Sequence, residues 1–148
     1  MFTIFICKNI EMDIKNFCDS IMRMYLYADM IKAIHLSTEI YWEHSLCDDA
    51  QDKIRDKIDE LAEQIYGYYG KPKFTDFKLD LDIYYENDLA KLFGRIMDIL
   101  APIRTECDKV EKLSGVVSLI DDFKGQLTQL VYMCSFDKIA NYKMENSI

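Results

Sequence analysis

Apolar residues recur at steps of three and four through the first half of the chain. Ile14, Phe17, Cys18, Ile21, Tyr25, Ala28 and Ile31 form one stripe, which His35 continues. Cys47, Ala50, Ile54, Ile58, Leu61, Ile65 and Tyr69 form a second. This spacing places each set on one face of an amphipathic α-helix. No Gly or Pro interrupts the sequence between Asn9 and Tyr66. A single helix over that stretch would be about 85 Å long, more than a compact domain can hold. The pattern therefore predicts a turn between Leu36 and Ser45. Ser37, Thr38 and Ser45 are candidate N-caps, and Ser45 with Asp48 fits a loose capping box.

Gly67, Gly70 and Pro72 end the second helix. The segment GKPKFTDFKLDLD that follows is long for a helix hairpin, so it is expected to cross from one end of the bundle to the other. A third helix is predicted from about Tyr85, with Leu89, Leu92, Phe93, Ile96, Ile99, Leu100 and Ile103 inside and Pro102 as a kink or stop. A fourth is predicted from about Ser114, with Val117, Ile120, Phe123, Leu127, Leu130, Val131 and Cys134 inside. The expected fold is all-α: a single four-helix domain over 1–148, with a short apolar segment at 1–8 and a polar, fraying tail at 137–148. One long crossover between helices 2 and 3 is the ferritin-like arrangement.

Composition narrows the function classes. Of the 148 residues half are apolar, whereas Gly (5) and Pro (2) are scarce. That excludes a disordered chain and most all-β designs. The formal charge of −8, with no basic tail, argues against nucleic acid and favours cations as partners. No apolar stretch reaches the roughly 18–20 residues of a membrane span. The opening MFTIFICK lacks the basic region and cleavage site of a signal peptide, so a cytoplasmic protein without membrane contact is expected. Cys7, Cys18, Cys47, Cys107 and Cys134 are far apart and form no CxxC. They read as free thiols.

The candidate chemistry lies on the second helix. His44 is followed by Asp48, then by Asp59 and Glu63. With His44 at zero and about 100° per residue, Asp48 falls near about 40°, Asp59 about 60° and Glu63 about 100°, one stripe. Imidazole and carboxylate together suit divalent iron. His44 and Glu63 are roughly 28 Å apart along the axis and cannot share an ion within one helix. A shared site needs a second, antiparallel copy, which a two-fold axis provides. Each residue has a plainer alternative: His35 as a hydrogen-bonded core or interface histidine, Asp48 as a cap, Asp59 and Glu63 as solvated charges on an acidic face.

The pattern H-x3-D-x10-D-x3-E, ahead of a Gly-containing helix end, resembles the Dps-type miniferritins. EHSLCDDAQDKIRDKIDELAEQIYGYYG is similar to their second helix, and its DELAE core to their DE-hydrophobic-AE segment. SLIDDFKGQLTQLVYM is compatible with their fourth helix. The short form, with its compressed turn, is most similar to miniferritin-like proteins encoded by tailed phages. The resemblance implies iron binding, Fe(II) oxidation by peroxide or oxygen, and mineral storage in a homo-oligomeric shell, a dodecamer in that family. It places His44 and Asp48 of one subunit opposite Asp59 and Glu63 of another, with no catalytic residue beyond the metal ligands. The family's further histidine, about twelve residues before His44, is replaced by Lys32, and His35 is the available substitute. Trp42 and Tyr41 flank this site, either as subunit packing or as aromatics near the iron.

Two other classes are weighed. A non-catalytic helical interaction protein on a ferritin-like scaffold would ignore His44→Ala. A di-iron enzyme with its site inside one bundle needs Glu-x-x-His motifs on two helices. The residues three before His35 and His44 are Lys32 and Tyr41, so that motif is missing.

Overall fold

The computed structural model describes residues 12–78 and 85–145, with side chains up to 135. Four long helices account for most of them: α1 (Ile14–Ser37), α2 (Tyr41–Tyr69), α3 (Leu89–Asp108) and α4 (Ser114–Glu145). Single turns of 3₁₀ helix lie at Phe74–Asp76 and Glu111–Leu113. No strand occurs among the described residues. The apolar segment 1–8 and residues 146–148 of the tail lie outside them, as does 79–84 of the connection.

Local chemistry sets the ends. Asp13 caps α1 by accepting from the Lys15 amide at 3.0 Å. At its other end Thr38 is extended, and its own amide still reaches Ile34 O. The Thr38 hydroxyl accepts from the Ile40 amide at 3.1 Å, so three residues turn the chain into α2. The turn therefore falls within the predicted window. Ser45 is not the N-cap, however; α2 begins at Tyr41, and Ser45 already lies inside it. Gly70 ends α2 at φ 102°, a conformation that favours glycine.

The third helix starts at Leu89 rather than near Tyr85. Asp88 is the reason, because its carboxylate accepts from the Lys91 amide at 3.2 Å. Pro102 does not stop α3, which continues to Asp108. Its ring removes one helical donor and points to an exposed position, where water can satisfy the freed carbonyl. α4 starts at Ser114 as predicted, but Val116 rather than Val117 is buried there. Its helical path includes 137–145 of the polar tail.

The two N-terminal stripes meet in the core. Phe17, Cys18, Ile21, Ala28 and Ile31 of α1 face Cys47, Ala50, Ile54, Ile58, Leu61 and Ile65 of α2, all buried. Leu92, Phe93, Ile96 and Leu100 of α3 and Ile120, Phe123 and Leu127 of α4 complete it. Neighbouring helices run antiparallel. α2 meets α4 through Lys57 and Asp122 at 2.8 Å. α3 meets α4 through Arg104 and Asp121, and through Thr128 and Met97 one layer on. α1 meets α3 where Arg95 lies over the Tyr27 ring, and again where Asn16 and Ser20 share a groove with Pro102 and Glu106. Trp42 and Glu43 of α2, Asp88 and Leu89 at the start of α3, and Val131 and Cys134 of α4 line a single cleft at one end. Cys18, Cys47, Cys107 and Cys134 are outside any disulfide among the described residues; Cys7 lies outside the described residues.

Candidate functional site

The tight turn between α1 and α2 sets two histidines face to face. The imidazoles of His35 and His44 stack with ring centroids 3.8 Å apart and planes 21° apart. His35 Nδ1 lies 2.7 Å from His44 O, and His44 Nδ1 lies 2.7 Å from His35 O. A carbonyl oxygen only accepts, so each Nδ1–H donates, and a neutral ring then keeps its lone pair on Nε2. His35 is buried (8% exposed), whereas His44 is on the surface.

Asp48, one turn further along α2, joins this corner. Its Oδ1 is 3.7 Å from His35 Nε2 and 3.0 Å from Lys32 Nζ. The Lys32 hydrogen bond holds the Asp48 carboxyl below its usual range, helped by Lys32's charge and by both imidazoles, with partial desolvation opposing. Lys32 therefore sits across the hairpin from Asp48 as its direct counter-ion, a contact the sequence reading did not anticipate. Lys32 is one turn before His35 on α1, and Asp48 one turn after His44 on α2, so once the hairpin pairs the histidines it also brings these two together.

Asp59 and Glu63 are not part of this corner. Both are exposed on α2, and Asp59 is roughly 16 Å along the axis from Asp48. They flank Tyr25 of α1. Burial raises the Tyr25 phenol's pKa, and Asp59 and Glu63 add to the rise while Arg55 opposes it. Between the two groups, Arg55 bridges the seam, donating to Asp29 of α1 and to Gln51 at 2.8 Å. Of the five predicted residues the chain thus gathers His35, His44 and Asp48 and leaves Asp59 and Glu63 apart. Among the described residues no three of His, Cys, Asp and Glu are placed to hold a metal ion.

Residues 35–134, from His35 through α2, α3 and most of α4, match the model of a family of unknown function, DUF5856. The chain belongs to the DUF5856 family. No curated protein and no solved structure matches it. The DUF5856 match takes in His35, His44, Asp48, Asp59 and Glu63, and begins just after Lys32. No described helix of this DUF5856 chain is long and apolar enough to cross a membrane.

Proposed function

We propose that the chain is a miniferritin-like subunit that binds iron as its substrate between two-fold-related copies, oxidises it and stores it in a cytoplasmic shell. His35, His44 and Asp48 of one copy would face Asp59 and Glu63 of another, and the shell would be a dodecamer. Two Fe(II) ions side by side would each give one electron to a peroxide, which takes up two protons and leaves as two waters.

The observation that carries this reading is the reciprocal histidine clasp. Metal-bound histidines commonly donate their second ring nitrogen to a carbonyl, which fixes tautomer and ring orientation. Here both Nδ1 atoms are engaged in that way, which leaves both Nε2 atoms for a ligand. The helix arrangement supports a ferritin-like bundle. α2 and α3 both start at the end where Trp42 and Leu89 share a cleft, which supports a connection that returns along the bundle. Fully extended at about 3.3 Å per residue, the stretch from Gly70 to Asp88 reaches roughly 60 Å, against roughly 43 Å for α2.

Anaerobic Fe(II) titration, then peroxide addition followed by ultraviolet absorbance, with particle mass on the same sample, tests the proposal. Saturable binding, oxidation lost in Asp59→Ala and a shell-sized particle are expected. A monomer that binds no iron would overturn it. The Lys32–Asp48 ion pair favours a second reading, a helical interaction protein on the same scaffold, since that carboxylate already has a cation. In that case His44→Ala leaves partner binding and assembly unchanged.

A further inference from the structure

The corner at the α1–α2 turn contains a cation of its own. Asp48 Oδ1 is shared by two groups: His35 Nε2 at 3.7 Å and the Lys32 ammonium at 3.0 Å. The 3.7 Å gap is close to the span of two ligand atoms each about 2.1 Å from one ion at an angle of about 120°. A divalent cation held by His35 Nε2 and Asp48 Oδ1 therefore fits the present spacing. Such an ion would lie no more than about 5 Å from Lys32 Nζ, by the two bond lengths to the shared oxygen. A fixed positive charge that close to a divalent ion weakens binding by about tenfold, even at water-like screening. Lys32 is half-exposed, so its flexible side chain can swing away, and exposed ion pairs of this kind are weak.

We infer that Lys32 is a tethered competitor for the cation position at Asp48, so that a divalent metal takes that carboxylate only by displacing the ammonium. The inference rests on the iron-binding reading above and adds a residue that sets its affinity. Lys32 is a specificity determinant rather than a ligand. Charge and not bulk is the operative property.

The test is Co(II) binding to the full chain, a redox-silent probe read by calorimetry and by its visible absorbance. Wild type is compared with Lys32→Met, Lys32→Gln, Lys32→Arg and Asp48→Asn, and with Lys32→Met combined with Asp48→Asn. Lys32→Met and Lys32→Gln should bind Co(II) about tenfold more tightly, with absorbance changed by carboxylate entry. Lys32→Arg keeps the charge and should match wild type. The gain should vanish when Asp48 is Asn. Wild-type binding with no gain in either neutral variant would overturn the competition and leave the iron-binding reading standing. A gain that survives in the Asp48→Asn background would overturn it as well. No Co(II) binding by any variant would overturn both. Two neutral replacements of different polarity keep the outcome decisive if one of them folds poorly.

Discussion

Ile58 and Asp59 are consecutive residues of α2 on different faces, and each belongs to a regular stripe along the helix. The inner stripe, from Cys47 to Ile65, is fully buried by α1 and the other helices of the same chain. The outer stripe runs through His44, Asp48, Asp59 and Glu63, all exposed. Near the turn it meets Lys32 and His35 of α1. Further along, among the described residues, it lies beside Tyr25 and is exposed. Equal periodicity thus has two meanings. Apolar periodicity is satisfied within one chain because burial needs only neighbours of any apolar kind. Polar periodicity specifies particular partners, and here it points outward.

Exchanging neighbours across that divide gives the largest expected effect. Ile58→Ala removes packing atoms from a site that is 0% exposed and should cost about 2–5 kcal/mol in urea unfolding. Asp59→Ala, one residue on, should change stability by no more than about 0.5 kcal/mol. It should nevertheless abolish iron oxidation under the proposed reading. If Asp59→Ala destabilised the isolated chain as much as Ile58→Ala, the outer stripe would be structural and the contrast would fail.

The seam between α1 and α2 sharpens the comparison at its far end. There the polar contact is nearly apolar in character. The Tyr66 hydroxyl and Cys18 Sγ lie 3.1 Å apart, and the Tyr66 ring meets Phe17 edge-on at 5.3 Å. Tyr66→Phe keeps the ring and should cost about 1 kcal/mol. Burial, then the Cys18 hydrogen bond, pushes the Tyr66 phenol above its ordinary value near 10. A raised folded pKa stabilises fully below the unfolded value and is lost as pH rises through the folded one. Wild type should therefore lose stability above about pH 10 in a way that Tyr66→Phe does not, measured by urea midpoints from pH 8 upward.

Much of this was legible in sequence, for reasons that differ by element. The inner stripe of α2 could be read residue by residue, because a helix face is a local property. The turn was legible from length alone. Its start at Tyr41 was not, since Ile40 offers no capping side chain and Ser45 imitates one. The onset of α3 moved because Asp88, a better cap than anything beside Tyr85, takes the Lys91 amide. The five candidate ligands were legible as a pattern. What Asp48 touches was not, because its partner Lys32 is on another helix and the three-residue turn sets the register. The clasp of His35 and His44 has the same origin: each ring reaches the other's backbone only once the hairpin has closed.

The smallest expected effect separates two surface ion pairs that tie helices together. Lys32 lowers the Asp48 carboxyl chiefly through its hydrogen bond across the α1–α2 seam. Arg104 does the same to Asp121 between α3 and α4, with two bonds of 2.6 and 3.1 Å. A carboxyl whose folded pKa is depressed stabilises above its unfolded value, near 3.8 for both, and loses that contribution as pH falls through the folded value. Both pairs are solvent-screened, so each contribution is small and should shrink with added salt. Lys32→Met and Arg104→Met should each lower the urea midpoint slightly at pH 6, and the difference from wild type should shrink as pH falls below the unfolded value of 3.8. Arg104→Met should show the larger difference, because a two-pronged guanidinium contact is more strongly oriented than a single ammonium contact. If Lys32→Met instead raises stability at pH 6, then Lys32 is held at Asp48 against the repulsion of its surroundings. The ammonium would then be easier for a metal to displace than its 3.0 Å contact suggests.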